Sequence, residues 1–343
     1  MAGNVYGLDL GTYEVKVYDK KKNEIRREKN TVAMKEGNHI FAAGDEAYGI
    51  YEKNPSDIQV LFPMKDGVIA RFDDMQYLLG SVLGPGRRAA RGSQYVIAVP
   101  TDVTEVEKKA FYDLVLFSEA KARSVRIVER GIADAVGSGV DVMSEKGVFV
   151  ANFGGDTTEL SVISRGNMIM NRLLKTGGHD CDLEIVSLVR RNAEFLIGNT
   201  TAELLRRSFG ILSKKNMRPT PVSVSGRDLI TGVPAQKDIP VRLVRAAMKE
   251  PLGECIKAIR SMIGRTPPDV RKEIMEKGIC LTGGMANMSG MSAYLKKNTG
   301  LPVKKTRDPE LCAVKGLRKI ISDRSYYKQL TYSIHGEDYR WLR

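Results

Sequence analysis

The feature that most restricts this chain is a strand, turn and strand pattern that occurs twice, half a chain apart. The apolar run 5–9 breaks at Gly11-Thr12 and resumes as Val15-Lys16-Val17-Tyr18. An apolar run ended by a polar residue, a glycine turn and a second run predicts a β-hairpin. Residues 148–163 repeat the design around Gly154-Gly155-Asp156-Thr157, so that Asn152 falls 143 positions after Asp9. A pattern that returns once predicts two related lobes facing each other, whereas a solenoid needs many short units. The length agrees, because 343 residues, 42% of them hydrophobic, exceed what one compact core usually holds.

Between the hairpins the chain alternates in an α/β manner. Tyr95 to Val99 reads as a strand closed by Pro100. Thr104-Glu105-Val106-Glu107 reads as a capping box opening a helix whose apolar face is Val106, Ala110, Leu114 and Phe117. Further helices are predicted over 182–196, 201–209, 241–263, 268–277 and 291–298, with a glycine-ended strand over 277–284. Residues 213–232, rich in Ser, Pro, Lys and Gly, predict surface turns and short strands of a smaller subdomain.

Composition narrows the class. No apolar run approaches the roughly 20 residues that cross a bilayer. The first residues lack the basic and then apolar stretch of a secretory signal, so a cytoplasmic location is expected. Four dispersed cysteines predict reduced, structural thiols, and three dispersed histidines argue against a metal cage. An excess of 54 Lys and Arg over 41 Asp and Glu favours an anionic partner: nucleic acid, lipid headgroups or nucleotide. The basic residues are scattered without regularly spaced aromatics, which argues against nucleic acid.

The hairpins themselves favour nucleotide. A glycine-rich turn lets the backbone approach a phosphate with its N–H groups pointing at the anion. Placed opposite one another, Gly11-Thr12-Tyr13 and Gly154-Gly155-Asp156-Thr157 would clasp the β- and γ-phosphates, with Asp9 near Mg²⁺ through its waters. Either turn alone reads more readily as an ordinary hairpin that needs glycine for positive φ. The pair, together with Leu281-Thr282-Gly283-Gly284, points to nucleotide.

Residues 7–12 (Gly-Leu-Asp-Leu-Gly-Thr) resemble the first phosphate motif of the actin and sugar-kinase superfamily. Residues 152–159 resemble its second phosphate motif and 278–284 its adenosine motif. Within the superfamily the chain resembles the MreB-type bacterial actins along nearly its whole length, most specifically at Pro63-Met64-Lys65-Asp66-Gly67-Val68-Ile69-Ala70 and also at 44–47, 99–108, 226–232 and 266–268. The resemblance implies an α/β, actin-like ATPase fold: two lobes, each a mixed sheet with flanking helices, and ATP with Mg²⁺ in the cleft. It implies a first lobe of 1–142 plus 315–343 and a second of 143–314, whose smaller subdomain covers about 180–245. It implies nucleotide contacts at Asp9, Gly11, Thr12, Tyr13, Glu14, Asn152, Gly154, Gly155, Asp156, Thr157, Glu203, Arg206, Gly283, Gly284 and Met285. Glu203 and Arg206 share a helix face, where a carboxylate would take ribose hydroxyls and a guanidinium would lie over a purine. Their spacing alone equally allows a solvated surface ion pair.

The family's pattern is broken in four places. Asn152 stands for Asp, Asp156 for Gly, Met285 for Gly, and Arg130-Gly131 for Glu-Pro. In the family that Glu positions the attacking water. Arg130 offers donors only and always carries charge, so it would hold the γ-phosphate, and weak or lost hydrolysis is expected. Glu129 is the alternative water-activating group if the local loop shifts by one residue. Asp156 returns a carboxylate to the turn itself, where it would repel a triphosphate.

The resemblance further implies filaments of this chain at the inner face of the membrane, with a paralogue and cell-wall synthesis proteins as partners. The chain opens at a strand, so no amphipathic helix is expected ahead of it. Arg87, Arg88 and Arg91 in the loop 83–92 would each contribute about 1 kcal/mol of salt-sensitive adhesion to an anionic leaflet, if the loop is not simply solvated. The aromatic tail 325–343 is expected to fold back on the body. Three functions compete: a cytoskeletal filament protein, a non-hydrolysing scaffold that assembles with a competent paralogue, and a small-molecule kinase or chaperone-type ATPase on the same fold.

Overall fold

The computed structural model describes residues 4–35, 39–83, 92–118, 121–211 and 221–334. Each hairpin lies inside a five-stranded mixed sheet. Val5–Leu10 pairs antiparallel with Glu14–Asp19, which sets Asp9 opposite Lys16. Val148–Phe153 pairs antiparallel with Thr158–Ser164, which sets Asn152 opposite Glu159. A further antiparallel strand extends each hairpin on one side, Glu24–Lys29 in the first sheet and Asn167–Leu174 in the second. On the other side two parallel strands follow: Gln94–Val99 and Ser124–Glu129 in the first, Ile279–Thr282 and Val303–Lys305 in the second. The two sheets therefore share one strand order. Parallel neighbours need crossover connections, and the helices Glu105–Leu116 and Met291–Thr299 supply them.

The helix Glu105–Leu116 carries the predicted reciprocal cap. Glu107 N donates to Thr104 Oγ1 at 3.2 Å, and Thr104 N donates to the Glu107 carboxylate at 2.7 Å. Its buried face is not the predicted one. Phe111, Tyr112, Leu114, Val115 and the stem of Lys108 are buried, while Val106 and Phe117 are 79% and 68% exposed. Period 3.6 fixes the spacing of an apolar stripe but not its phase, and the end residues overhang the surface that the middle turns cover. The predicted helix 241–263 is also interrupted. Val241–Ala247 and Lys249–Arg265 meet at Met248. Pro251 dictates the break: its ring would strike the carbonyl of Ala247 in a continuous helix, but is tolerated in the first turn of a new one.

Two helices join the lobes. Arg130–Gly137 and Cys312–Ser322 pack against each other between the sheets. Ile132, Val136, Val314 and Leu317 share one buried cluster with Val96, Ala98 and Val128 of the first sheet and with Val150 and Ile163 of the second. Separate clusters fill the outer face of each sheet. Two three-stranded sheets stand further out: Val32–Lys35 between His39–Ala43 and Ile58–Leu61, and Val222–Asp228 between Phe195–Leu196 and Pro234–Ile239. The chain then returns to the first sheet, where Tyr332 bridges Ile127. Among the described residues no helix is long and apolar enough to cross a membrane.

Candidate functional site

The two glycine turns are built alike. Gly11 N donates to Glu14 O at 3.1 Å, and Gly154 N donates to Thr157 O at 2.8 Å, the same bond 143 positions later. Their tips face each other, since a Cβ built on Gly155 would lie 3.0 Å from the Cβ of Tyr13. Beside them opens a cavity of about 810 Å³, a size that suits a cofactor. Asp9, Gly11, Thr12, Tyr13 and Glu14 line it from the first hairpin, and Asn152, Gly154, Gly155, Asp156 and Thr157 from the second. Glu203 and Arg206 reach it from the helix Asn199–Phe209, and Gly283, Gly284 and Met285 from the end of the strand Ile279–Thr282. Gly283 has φ 84°, and a Cβ there would lie 2.3 Å from Phe153 O. Only glycine allows this edge to close so near the second hairpin.

At the hairpin floor the charges are paired across elements. Lys16 Nζ lies 3.4 Å from Asp9 Oδ2, a consequence of the register that sets these residues opposite one another. Arg130 also points here: its Nη2 donates to Leu10 O at 3.1 Å and its Nε lies 3.9 Å from Asp9 Oδ1. Glu129, the neighbouring carboxylate considered for water activation, does not line the cavity. It accepts from the Tyr332 hydroxyl at 2.7 Å, because a strand's last residue and a helix's first point different ways. The one-residue shift does not occur, as Glu129 keeps its register opposite Val99.

One carboxylate in this region has no counterpart in the sequence reading. Asn152 Nδ2 donates to Asp134 Oδ2 at 2.6 Å, so the helix Arg130–Gly137 returns a carboxyl group to the side chain that lacks one. Asp134 lines the cavity and is 1% exposed, and its Oδ1 has no hydrogen-bond partner. Burial pushes its carboxyl up to about 8, against the Asn152 bond and assisted by Asp9 and Glu159. The folded state therefore keeps a proton that the unfolded chain releases near its ordinary value. This group makes the fold lose stability as pH rises from the ordinary carboxylate range towards about 8. Asp134→Asn, which keeps the shape and the neutral hydrogen bond, is expected to flatten that decline. Melting temperatures of both proteins across this window check it, and parallel curves would refute it.

The other end of the cavity is held by phenols and guanidinium groups. Tyr13 and Tyr48 donate through their hydroxyls to the two Glu203 oxygens at 2.9 and 3.2 Å. Arg207 pairs with the same carboxylate at 2.6 Å. Burial raises the Glu203 carboxyl, but Arg207, Tyr13 and Arg206 outweigh it and hold it below its usual range. Arg206, which the resemblance implied would lie over a base, is held by its edge. Its Nε and Nη2 donate to Asp182 at 2.7 and 2.9 Å, and both residues are buried, so it is not a solvated surface pair. Across the mouth Glu52 accepts from Asn199 N at 2.6 Å and Thr200 N at 3.0 Å, tying the first lobe to the start of a second-lobe helix. Lys16 was legible in principle, because a turn closed from Gly11 to Glu14 sets position 9 opposite 16. Asp134, Asp182, Tyr48 and Glu52 reach the site from distant segments and left no local signal. Arg87, Arg88, Arg91 and the tail beyond 334 lie outside the described residues.

Matching sheets, matched glycine turns and an interlobe cavity define an actin-like protein. The MreB/Mbl protein family model matches residues 3–329, and the chain belongs to that family. It is 31% identical over 330 residues to the cell shape-determining protein MreB of Escherichia coli (strain K12), covering 92% of each chain. It is 29% identical over 313 residues to the cell shape-determining protein Mbl of Bacillus subtilis (strain 168), covering 90% of this chain and 93% of that one. The crystal structure of MreB5 of Spiroplasma citri bound to AMPPNP is similar with a TM-score of 0.89 at 27% identity, covering 96% and 98% of the two chains. The MamK double helical filament shares the fold, with a TM-score of 0.75 at 17% identity over 93% of this chain and 99% of that one.

Proposed function

We propose that this chain is a cytoskeletal filament protein of cell-shape determination that binds ATP between its lobes and hydrolyses it weakly or not at all. The observation that carries the reading is the pair of turns closed by the same backbone bond and facing each other beside one cavity. Such turns present N–H groups to phosphates, and a ligand gripped from both lobes favours the closed form over the open one. A relative solved with AMPPNP and a similar fold solved as a filament support nucleotide-linked assembly. Arg130 supports the loss of hydrolysis, since a guanidinium accepts no proton from water. It also favours a second reading, a non-hydrolysing member that assembles with a competent paralogue. Adhesion to an anionic leaflet through Arg87, Arg88 and Arg91, near cell-wall synthesis proteins, belongs to the same proposal.

Mg²⁺, placed near Asp9 through its waters by the sequence reading, would meet two fixed positive charges there. Asp9 faces Lys16 and Arg130, and Asn152 turns its Nδ2 to Asp134. No step is assigned to the ion.

Sedimentation with ATP, ADP and no nucleotide, run beside phosphate release, tests the function. Pelletable polymer with ATP and little phosphate is expected. At saturating ATP in Mg²⁺, Arg130→Glu is expected to raise phosphate release about tenfold or more, below the 10²–10⁴ of a well-placed base. A wild-type rate already as fast as the variant's would remove the reading of Arg130. Nucleotide-independent solubility of the chain, alone and with a family paralogue, would remove the filament.

A further inference from the structure

We propose that Lys16 and Arg130 together neutralise the phosphates of the bound nucleotide, so that this chain binds ATP without a divalent cation. This rests on the nucleotide reading of the cavity. A buried triphosphate must be met by positive charge, from a metal ion or from fixed Lys and Arg side chains. Here both heads are already in place. Lys16 and Arg130 each leave only 7% of their surface exposed, and both line the cavity at the hairpin floor.

Their existing partners do not use them up. The two cations share one carboxylate, Asp9, at 3.4 and 3.9 Å, and the longer contact is no hydrogen bond. Arg130 Nη2 spends one bond on the neutral Leu10 O, while Nε is fully buried with no hydrogen-bond partner. A buried charged donor without an acceptor is costly, so its persistence beside a cavity points to an anionic ligand that completes it. The other acids near Arg130 have partners of their own, although the guanidinium still opposes the neutral form of Glu159. Asp134 is engaged by Asn152, and Glu159 Oε1 by Thr101 N and Asn171, and burial favours the neutral form of both. A divalent ion at Asp9 would have to sit within a few ångströms of two buried positive charges, which repel it. The same two charges attract a phosphate oxygen.

The two lobes contribute unequally to this arrangement. Position 16 of the first hairpin corresponds to Glu159 of the second, 143 residues on, so only the first hairpin sets a cation opposite its strand-end acid. Lys16 is fixed by strand pairing and Arg130 by the first turn of its helix, so neither needs to be ordered on binding.

Equilibrium binding of ATP to the full chain, measured in Mg²⁺ and in EDTA, tests the proposal, with melting temperature as a second readout in both buffers. The dissociation constant in EDTA is expected to stay within about fivefold of that in Mg²⁺. Arg130→Gln and Lys16→Gln are each expected to weaken binding about tenfold more in EDTA than in Mg²⁺, and Arg130→Lys to restore most of the loss. Melting without nucleotide shows whether a variant folds, and Arg130→Lys keeps the comparison usable if the glutamine variant does not. ATP binding that falls more than fivefold in EDTA overturns the proposal and leaves the nucleotide site standing. Variants that lose equally in both buffers also overturn it. No ATP binding in either buffer overturns the nucleotide reading and this proposal with it.

Discussion

Gly316→Ala is expected to destabilise the protein by about 3 kcal/mol or more, at the upper end of what overpacking costs, and to weaken nucleotide binding with it. The cause lies where the two lobes are joined. A Cβ on Gly316 would stand 1.8 Å from Ala133 O, and one on Gly137 would stand 1.9 Å from Cys312 O. The helices Arg130–Gly137 and Cys312–Ser322 thus meet backbone to backbone, each glycine under a carbonyl of the other helix. Those carbonyls are tied into helical hydrogen bonds and cannot swing aside as a side chain could. The helices must separate, and the cluster that links both sheets separates with them. Arg130 begins one of these helices, so its head leaves Asp9 as the helix moves. Gly253→Ala is the matched control, because a Cβ there meets nothing within 4 Å and the residue lies within the helix Lys249–Arg265. It is expected to stabilise by about 0.5–1 kcal/mol through helix propensity and reduced chain entropy. Denaturation of the three proteins checks both, and a Gly316→Ala variant as stable as wild type would refute the account of the crossing.

Asp182→Ala is expected to cost about 3–5 kcal/mol, the loss that follows when one partner of a buried ion pair is removed. Arg206 would remain in the cavity wall with two donors unmatched, since both now point at Asp182. Its other acidic neighbour, Glu203, is 4.0 Å away and already engaged by Tyr13, Tyr48 and Arg207. Gly178 allows the pair to sit where it does, as a Cβ there would stand 3.2 Å from Arg206 Nη2. The double substitution Asp182→Leu with Arg206→Met is expected to recover most of the loss, because two apolar side chains of similar size leave no charge uncompensated. A single substitution costing less than about 1 kcal/mol would show that water reaches Arg206 and that the wall is open.

The parts of the site that were legible in the sequence are those made by neighbours along the chain. A glycine turn between alternating runs forms within a dozen residues, so both hairpins and the end of the strand Ile279–Thr282 were visible at their positions. The capping box at Thr104 was visible for the same reason. The phase of that helix was not, and neither was the break at Met248, because the first depends on which sheet lies beneath and the second was masked by a continuous apolar pattern. Lys108 illustrates the point: its charge predicts exposure, yet its stem is buried and its ammonium lies 5.9 Å from the Tyr332 ring, which arrives from the far end of the chain.

The amino-acid order alone determined two strand, turn and strand units half a chain apart, because each is a property of residue type at fixed local spacing, whereas the reading of Arg130 as standing where a water-positioning carboxylate is expected came from the resemblance. Tertiary structure alone decided what the charges of the site meet. Asn152 and Asp134 lie 18 positions apart, Arg206 and Asp182 lie 24, and Arg130 finds Leu10 across 120. Hydrogen bonds and ion pairs act over a few ångströms whatever the separation along the chain, so the electrostatic character of the cavity exists only once the lobes have folded against each other.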